Sequence, residues 1–196
     1  AEHLGEEWPL KEGNVDLMFI LSEENEDNLY EISGRIEEIC SNNSALEVLI
    51  ADNQKDQDRI LNMRSNTYTS TKNILADSLD IAVPPAFIPE LMRNFRDIGA
   101  KYNATIDTVG HIGDGNVHNN IYLVNGEVPS YYEEMKEELY KMAIAGGGTI
   151  TGEHGIGKTR RKSLPLQFDE VQINLMRGIK SLFDPNNIMN PKTGIY

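Results

Sequence analysis

Apolar positions along the chain change rhythm several times, and each rhythm predicts an element. Val15 to Leu21 is a nearly continuous apolar run of strand type. Ser22 is placed to cap a helix with Glu23 and Glu24 in its first turn, and Leu29, Ile32, Ile36 and Ile39 then recur at helical spacing. Ala45 to Ala51 reads as a second strand, and Gln54 to about Ser65 as a helix with Ile60 and Met63 on one face. Residues 66–79, rich in Thr, Ser and Asn, fit neither period and stay ambiguous, a mobile or a substrate-covering segment. Asp80 to Val83 is a short strand stopped by Pro84-Pro85. Ile88, Leu91, Met92, Phe95 and Ile98 make an amphipathic helix, and a hairpin occupies roughly 105–124. Ser130 and Glu133 have the spacing of a capping box, followed by the stripe Met135, Leu139, Met142 and Ala143. The last helix runs from about Asp169 to Leu182, with Phe168, Val171, Leu175, Ile179 and Leu182 on its apolar face.

Helices separate most of these strands, yet a hairpin sits at the centre. That order predicts an α+β fold, a mainly antiparallel sheet covered by helices. The length of 196 residues suits one domain, or a domain with an extension.

The net charge of −13 excludes a nucleic-acid partner, because phosphate binding needs a basic face. Cys40 stands alone, so no disulfide forms within the chain and a cytoplasmic setting is expected. No apolar run reaches the ~18–20 residues of a transmembrane helix. The chain opens on Ala1 and a polar stretch without a signal peptide, which reads as a cut inside a longer polypeptide.

The chemistry concentrates in two glycine-rich segments, Gly110-His111-Ile112-Gly113-Asp114-Gly115-Asn116-Val117-His118 and Gly152-Glu153-His154-Gly155. If Asp114-Gly115 is a two-residue hairpin loop, His111 stands directly opposite His118 and the two share a face. Opposed Cβ atoms lie ~4.5–5.5 Å apart, near enough for both rings to hold one cation. Asn120, two residues beyond His118, points to that face as well. Glu153, on a bend between glycines, is the expected third metal ligand. His154 suits a general base, since its ordinary pKa lies near neutrality. Zn, Mn and Fe all accept such a ligand set. Arg64 is the candidate for a substrate carboxylate; the bland reading of it is an exposed arginine lying along an apolar face.

The segments GHIGDGNVHNNIYL (110–123), GGTITGEHGIGKTR (147–160) and IKSLFDPNNIMNPKTGI (179–195) resemble the C-terminal domain of FAD-linked oxidases of the vanillyl-alcohol-oxidase type. The nearest kinds are the glycolate oxidase FAD subunit, D-lactate dehydrogenase and D-2-hydroxyglutarate dehydrogenase. The resemblance covers nearly the whole of residues 1–196 and implies a ferredoxin-like sheet. It implies a divalent metal on His111, His118 and Glu153, proton removal by His154, and Asn120 at the substrate. The Asn190-Pro191-Lys192 ending implies a flavin contact at Asn190. It further implies FAD held mainly by a separate N-terminal domain, in the same polypeptide or on a partner subunit. A small 2-hydroxy acid substrate and an electron-acceptor protein complete the expected partners. Ser78 and Pro85 stand where some relatives carry basic residues, so a second, distal carboxylate is not expected to be bound.

Three alternatives compete. The chain is a metal-binding cap module or subunit, silent by itself; it is a zinc hydrolase using the same side chains; or Gly152 to Thr159, which fits G-x-x-x-x-G-K-T, is a phosphate loop. The last fits badly, since Ser163-Leu164-Pro165 leaves little room for the helix such a loop must open. Lys158, Arg160 and Arg161 then read as a basic cluster that attracts an anion or offsets the acidic surface.

Overall fold

The computed structural model of the chain describes residues 1–13, 16–111 and 113–195, the His111 side chain excepted. Contacts divide it into two units, Ala1–Lys72 and Asn73–Tyr196.

In the second unit, alternation along the strands sorts apolar and polar side chains onto opposite faces of one sheet. Strands β1 (Leu75–Ala82), β2 (Ile106–His111) and β3 (Asn116–Tyr122) pair antiparallel in the order β1-β3-β2. Leu79, Ile81, Val117 and Ile121 are buried in the core. They pack with Ile88, Leu91, Phe95 and Ile98 of helix α4 (Ile88–Tyr102) and Met135, Leu139, Tyr140 and Ala143 of α5 (Tyr132–Ala145). Each fully buried Leu, Ile or Phe contributes ~1.5–3 kcal/mol. Ser78, Asp80, Asn116, His118 and Asn120 have the other parity and line the opposite face.

Helix α4 carries the chain from β1 across to β2, and α5 carries it back from β3. Thr149 then bridges Ala82 antiparallel, beyond the outer edge of β1. The sequence of elements is therefore β-α-β-β-α with a fourth strand reduced to one bridge. This is an α+β fold, as the order of elements predicted, and of the ferredoxin-like kind, as the resemblance implied. Later in the chain, α6 (Leu164–Gln167) and α7 (Glu170–Phe183) follow a 3-10 turn at Arg161–Ser163. The capping box of α7 is Asp169 with Gln172.

Several expectations need correction. The strands read at Val15–Leu21 and Ala45–Ala51 do not form among the described residues. Leu17, Ile20 and Leu46 are 70–73% exposed there. A strand needs a neighbour to pair its backbone, and apolar composition cannot supply one. The first helix of that unit, α1 (Glu26–Asn42), is capped by Asn25 rather than Ser22, its side chain accepting from the Asn28 N–H. Helix α2 (Gln54–Ser65) has the expected bounds and is capped by Asn53. A short helix, α3 (Thr67–Thr71), and the start of β1 fall in the stretch left ambiguous by its composition. The capping box read at Ser130 and Glu133 is absent: α5 opens after Tyr131 with no side-chain cap.

The central hairpin is also offset. His111 pairs with Asn116 and Val109 with His118, so the connection is longer than two residues and His111 is not directly opposite His118. The slip is two residues, which keeps the parity of the pairing. The loop itself explains it. Asp114 accepts from the Asn116 N–H at 3.0 Å, and the Gly115 carbonyl accepts from the Val83 N–H at 3.0 Å. Gly115 sits at φ +84°, and a Cβ there would lie 1.9 Å from the Val83 carbonyl oxygen. The longer loop is thus pinned to the end of β1, which a two-residue turn does not reach.

Candidate metal and catalytic site

The polar face of the sheet becomes a site because β1 carries an acid where an apolar strand has no ordinary use for one. Asp80 lies between the buried Leu79 and Ile81, is itself 0% exposed, and pairs across the ladder with His118. The chain leaving α5 runs antiparallel beside it: Thr149 exchanges backbone hydrogen bonds with Ala82, and the Gly152 N–H donates to the Asp80 carbonyl at 3.1 Å. Residues 151–154 then wrap around the Asp80 carboxylate. Its Oδ2 accepts from the backbone N–H groups of Gly152, Glu153 and His154 at 2.8–3.0 Å and from the Thr151 hydroxyl at 3.1 Å. Its Oδ1 accepts from the Asn116 side-chain amide at 2.8 Å. Gly152 has no room for a side chain, since a Cβ would lie 1.9 Å from Asn116 Nδ2.

Burial by itself pushes the Asp80 carboxyl upward. The hydrogen bonds from Asn116, the His154 N–H and Thr151, with the nearby His154 ring, outweigh that and hold it down at about 2. Asp80 is an anion at every pH near neutrality.

The held loop brings three predicted residues together. His118 Nε2 lies 3.1 Å from Glu153 Oε1, and the rings of His118 and His154 stack with centroids 4.8 Å apart and planes 12° apart. His154 Nε2 is 3.8 Å from the same carboxylate oxygen. His118 Nδ1 faces Asp80 Oδ1 at 3.6 Å. The His118 ring is nearly covered, while the side chains of Glu153 and His154 are about half exposed, so the group opens to solvent on one side.

These donors suit a divalent cation. Two ligand atoms on one tetrahedral zinc, each ~2.0–2.1 Å from the metal, stand ~3.3 Å apart. The His118–Glu153 pair has that separation, at 3.1 Å. Single ligand atoms of Asp80, His118 and His154 also fall within 4.8 Å of one another. Asp80 already accepts five hydrogen bonds, so it serves as the holder of the site and not as one of its open ligands.

The remaining predicted residues divide. Asn120 lies on the same face, two positions from His118, and accepts from the Ser78 hydroxyl at 2.9 Å. The side chain of His111 lies outside the described residues. Arg64 is exposed on the last turn of α2, in the other unit, and the second unit assembles the group without it. Asn190 lies in the C-terminal turn at φ +50°, its carbonyl accepting from the Thr193 N–H. Gly194 in turn ties that turn to the Gly157 carbonyl at 2.8 Å.

Two residues were missed or misread. In the sequence Asp80 only opens a short strand, and the signal that marks it is an acid flanked by Leu79 and Ile81. Arg160, read as part of a surface cluster, is 9% exposed and donates to the Ser78 carbonyl at 2.6 Å. It is a strut under β1. No helix opens at Gly157-Lys158; the chain there makes turns, which agrees with setting the phosphate-loop pattern aside.

Comparison with known proteins agrees with the resemblance of the motifs. The family model for FAD linked oxidases, C-terminal domain, matches residues 1–193. A D-lactate dehydrogenase of Archaeoglobus fulgidus is 38% identical over 187 residues, 95% of this chain and 40% of that protein. The glycolate oxidase subunit GlcD of Bacillus subtilis is 32% identical, covering 80% of this chain and 34% of its own length. A D-lactate dehydrogenase of Anaerostipes hadrus is 31% identical over 85% of this chain and 36% of its own. The chain thus spans 34–40% of the length of these relatives.

Proposed function

Because the chain belongs to the FAD-linked oxidase family through its C-terminal domain, we propose that it forms the substrate and metal side of a 2-hydroxy-acid oxidoreductase of the glycolate or D-lactate type. The observation that carries this reading is the convergence of His118 Nε2 on Glu153 Oε1 at 3.1 Å beneath the stacked ring of His154. When bound, a divalent cation supplies Lewis acidity to the substrate hydroxyl and FAD supplies the hydride acceptor.

His118 and Glu153, with His111, are the residues that would hold the cation. His154 is the base: its ring, stacked on His118 and half exposed beside them, would take the hydroxyl proton. Asn120, its amide oxygen engaged by Ser78, presents its amino end as a donor to a substrate oxygen. Arg64 is the proposed partner of the substrate carboxylate, and Asn190 a contact of the flavin.

The FAD-binding domain, in the same polypeptide or a partner subunit, completes the enzyme, so this chain alone should be colourless and inactive. No helix among the described residues is long and apolar enough to cross a membrane, and the lone Cys40 suits the reducing cytoplasm.

The test is His154→Ala in the flavin-loaded, full-length enzyme. Reduction of the flavin by a D-2-hydroxy acid should slow by ~100-fold or more, the usual contribution of a general base, with metal content unchanged. Reduction at the parental rate removes His154 from the mechanism. Loss of the metal along with activity assigns it to ligation instead.

A further inference from the structure

We propose that Asp80 is the positioning residue of this site: it sets where Glu153 and His154 stand and how the His118 ring is turned. The inference rests on the metal reading above for its functional consequence, but the geometry behind it is independent of any metal.

Three consecutive backbone N–H groups, those of Gly152, Glu153 and His154, point at one oxygen of one buried carboxylate. Successive peptide N–H groups of a strand or a relaxed loop point in alternating or scattered directions. Their convergence here makes a concavity that suits an anion, and Asp80 is the anion at its centre. Thr151 adds a hydroxyl to the same oxygen, and Asn116 fixes the other, so the carboxylate cannot turn. The loop that carries a proposed ligand and the proposed base is therefore moulded on Asp80.

The same side chain faces His118. With Nδ1 turned toward Asp80 and Nε2 toward Glu153, the ring presents Nε2 to the open side. At 3.6 Å the Nδ1 contact is electrostatic guidance, longer than a hydrogen bond. A carboxylate behind an imidazole ligand selects its tautomer and raises its basicity, and loss of such a partner typically weakens metal binding ~10–100-fold. Asp80 does this for the histidine on β3 while anchoring the glutamate on the loop. The two halves of the site, His118 on β3 and Glu153 on the loop, 35 residues apart in sequence, are thus referred to one atom group on β1.

The experiment compares this chain with its Asp80→Asn variant in two ways. Amide hydrogen exchange without metal reads the loop; cobalt(II) titration, followed by visible absorption, reads the site. The expected result is exchange at Gly152, Glu153 and His154 at least ~10-fold faster in the variant, with cobalt affinity at least ~10-fold weaker. Gly152→Ala serves as a second variant. It leaves every charge in place but drives a Cβ against Asn116 and Asp80, and it should reproduce both changes. If neither variant folds, Thr151→Val carries the test. It removes one of the five donors and leaves the backbone intact, so severalfold changes in the same direction are expected.

Unchanged exchange and unchanged affinity in Asp80→Asn overturn the inference. A parental chain that binds no cobalt, with faster loop exchange in the variant, sinks the metal reading and leaves the role of Asp80 in the loop standing. Tight cobalt binding with unaltered loop exchange does the reverse.

Discussion

Helices α4 and α7 are of similar length and both are amphipathic, yet they meet opposite fates. On α4 the apolar stripe is buried: Leu91 is 0% and Phe95 2% exposed, against the sheet and α5. On α7 the stripe predicted from the same periodicity stands in solvent, with Val171, Leu175 and Ile179 at 60–69% and Leu182 at 78%. Ile173 is the residue of α7 that is buried. The period of the pattern establishes that a helix has an apolar face. What covers that face is set by the fold around it, and for α4 the cover is present within its own unit.

This contrast can be broken most sharply by truncation. Leu91→Ala removes a side chain packed on all sides and should cost ~2–5 kcal/mol. Leu175→Ala, at an exposed position of similar chemistry, should stay within ~0.5 kcal/mol. Urea unfolding of the two variants measures both. Equal losses would mean that α7 is packed in solution and that the difference between the helices is not real.

The site region shares the behaviour of α4, and acid is the way to probe it. The Asp80 carboxyl is held at about 2 in the folded chain, against an ordinary value of ~3.9 when unfolded. A depressed carboxyl contributes stability above its unfolded pKa and loses it as pH falls through the folded one. Between about pH 4 and pH 2 the chain should therefore lose ~2 kcal/mol on account of Asp80. The His118 ring faces it at 3.6 Å, and the nearby His154 ring favours the anion. The Asp80→Asn variant, where folded, should show a shallower decline over the same range. An identical slope would place the acid lability elsewhere.

How much of this was legible beforehand follows the same line. The packed half read well: the stripe from Ile88 to Ile98 gave α4 and the α+β class emerged from the order of elements; of the residues singled out by type and spacing, His118, Glu153 and His154 lie together. What failed depended on a partner elsewhere. Leu17 to Ile20 and Leu46 to Ile50 carry strand composition, but composition cannot provide the ladder. The hairpin slipped by two residues because Val83, some thirty positions upstream in sequence, holds the Gly115 carbonyl. Asp80 was overlooked because its importance lies in four donors 71–74 residues away, which no local pattern records.

The smallest effect separates the helices by their caps. With its stripe unpacked, α7 depends on local interactions more than α4 does, and its clearest one is the reciprocal pair of Asp169 and Gln172. The Gln172 N–H donates to Asp169 at 2.8 Å, and the Gln172 side chain accepts from the Asp169 N–H at 3.0 Å. Asp169→Ala removes the first bond and the charge at the helix N-terminus, for ~1 kcal/mol. In a helix packed into the core, that loss would be felt by the whole unit. In α7 it should remain local: amides of residues 173–180 should exchange about 5-fold faster, the factor that ~1 kcal/mol represents, while the midpoint of global unfolding barely moves. A shift of the global midpoint by the full amount would show that α7 unfolds only with the sheet, and would place it with α4 after all.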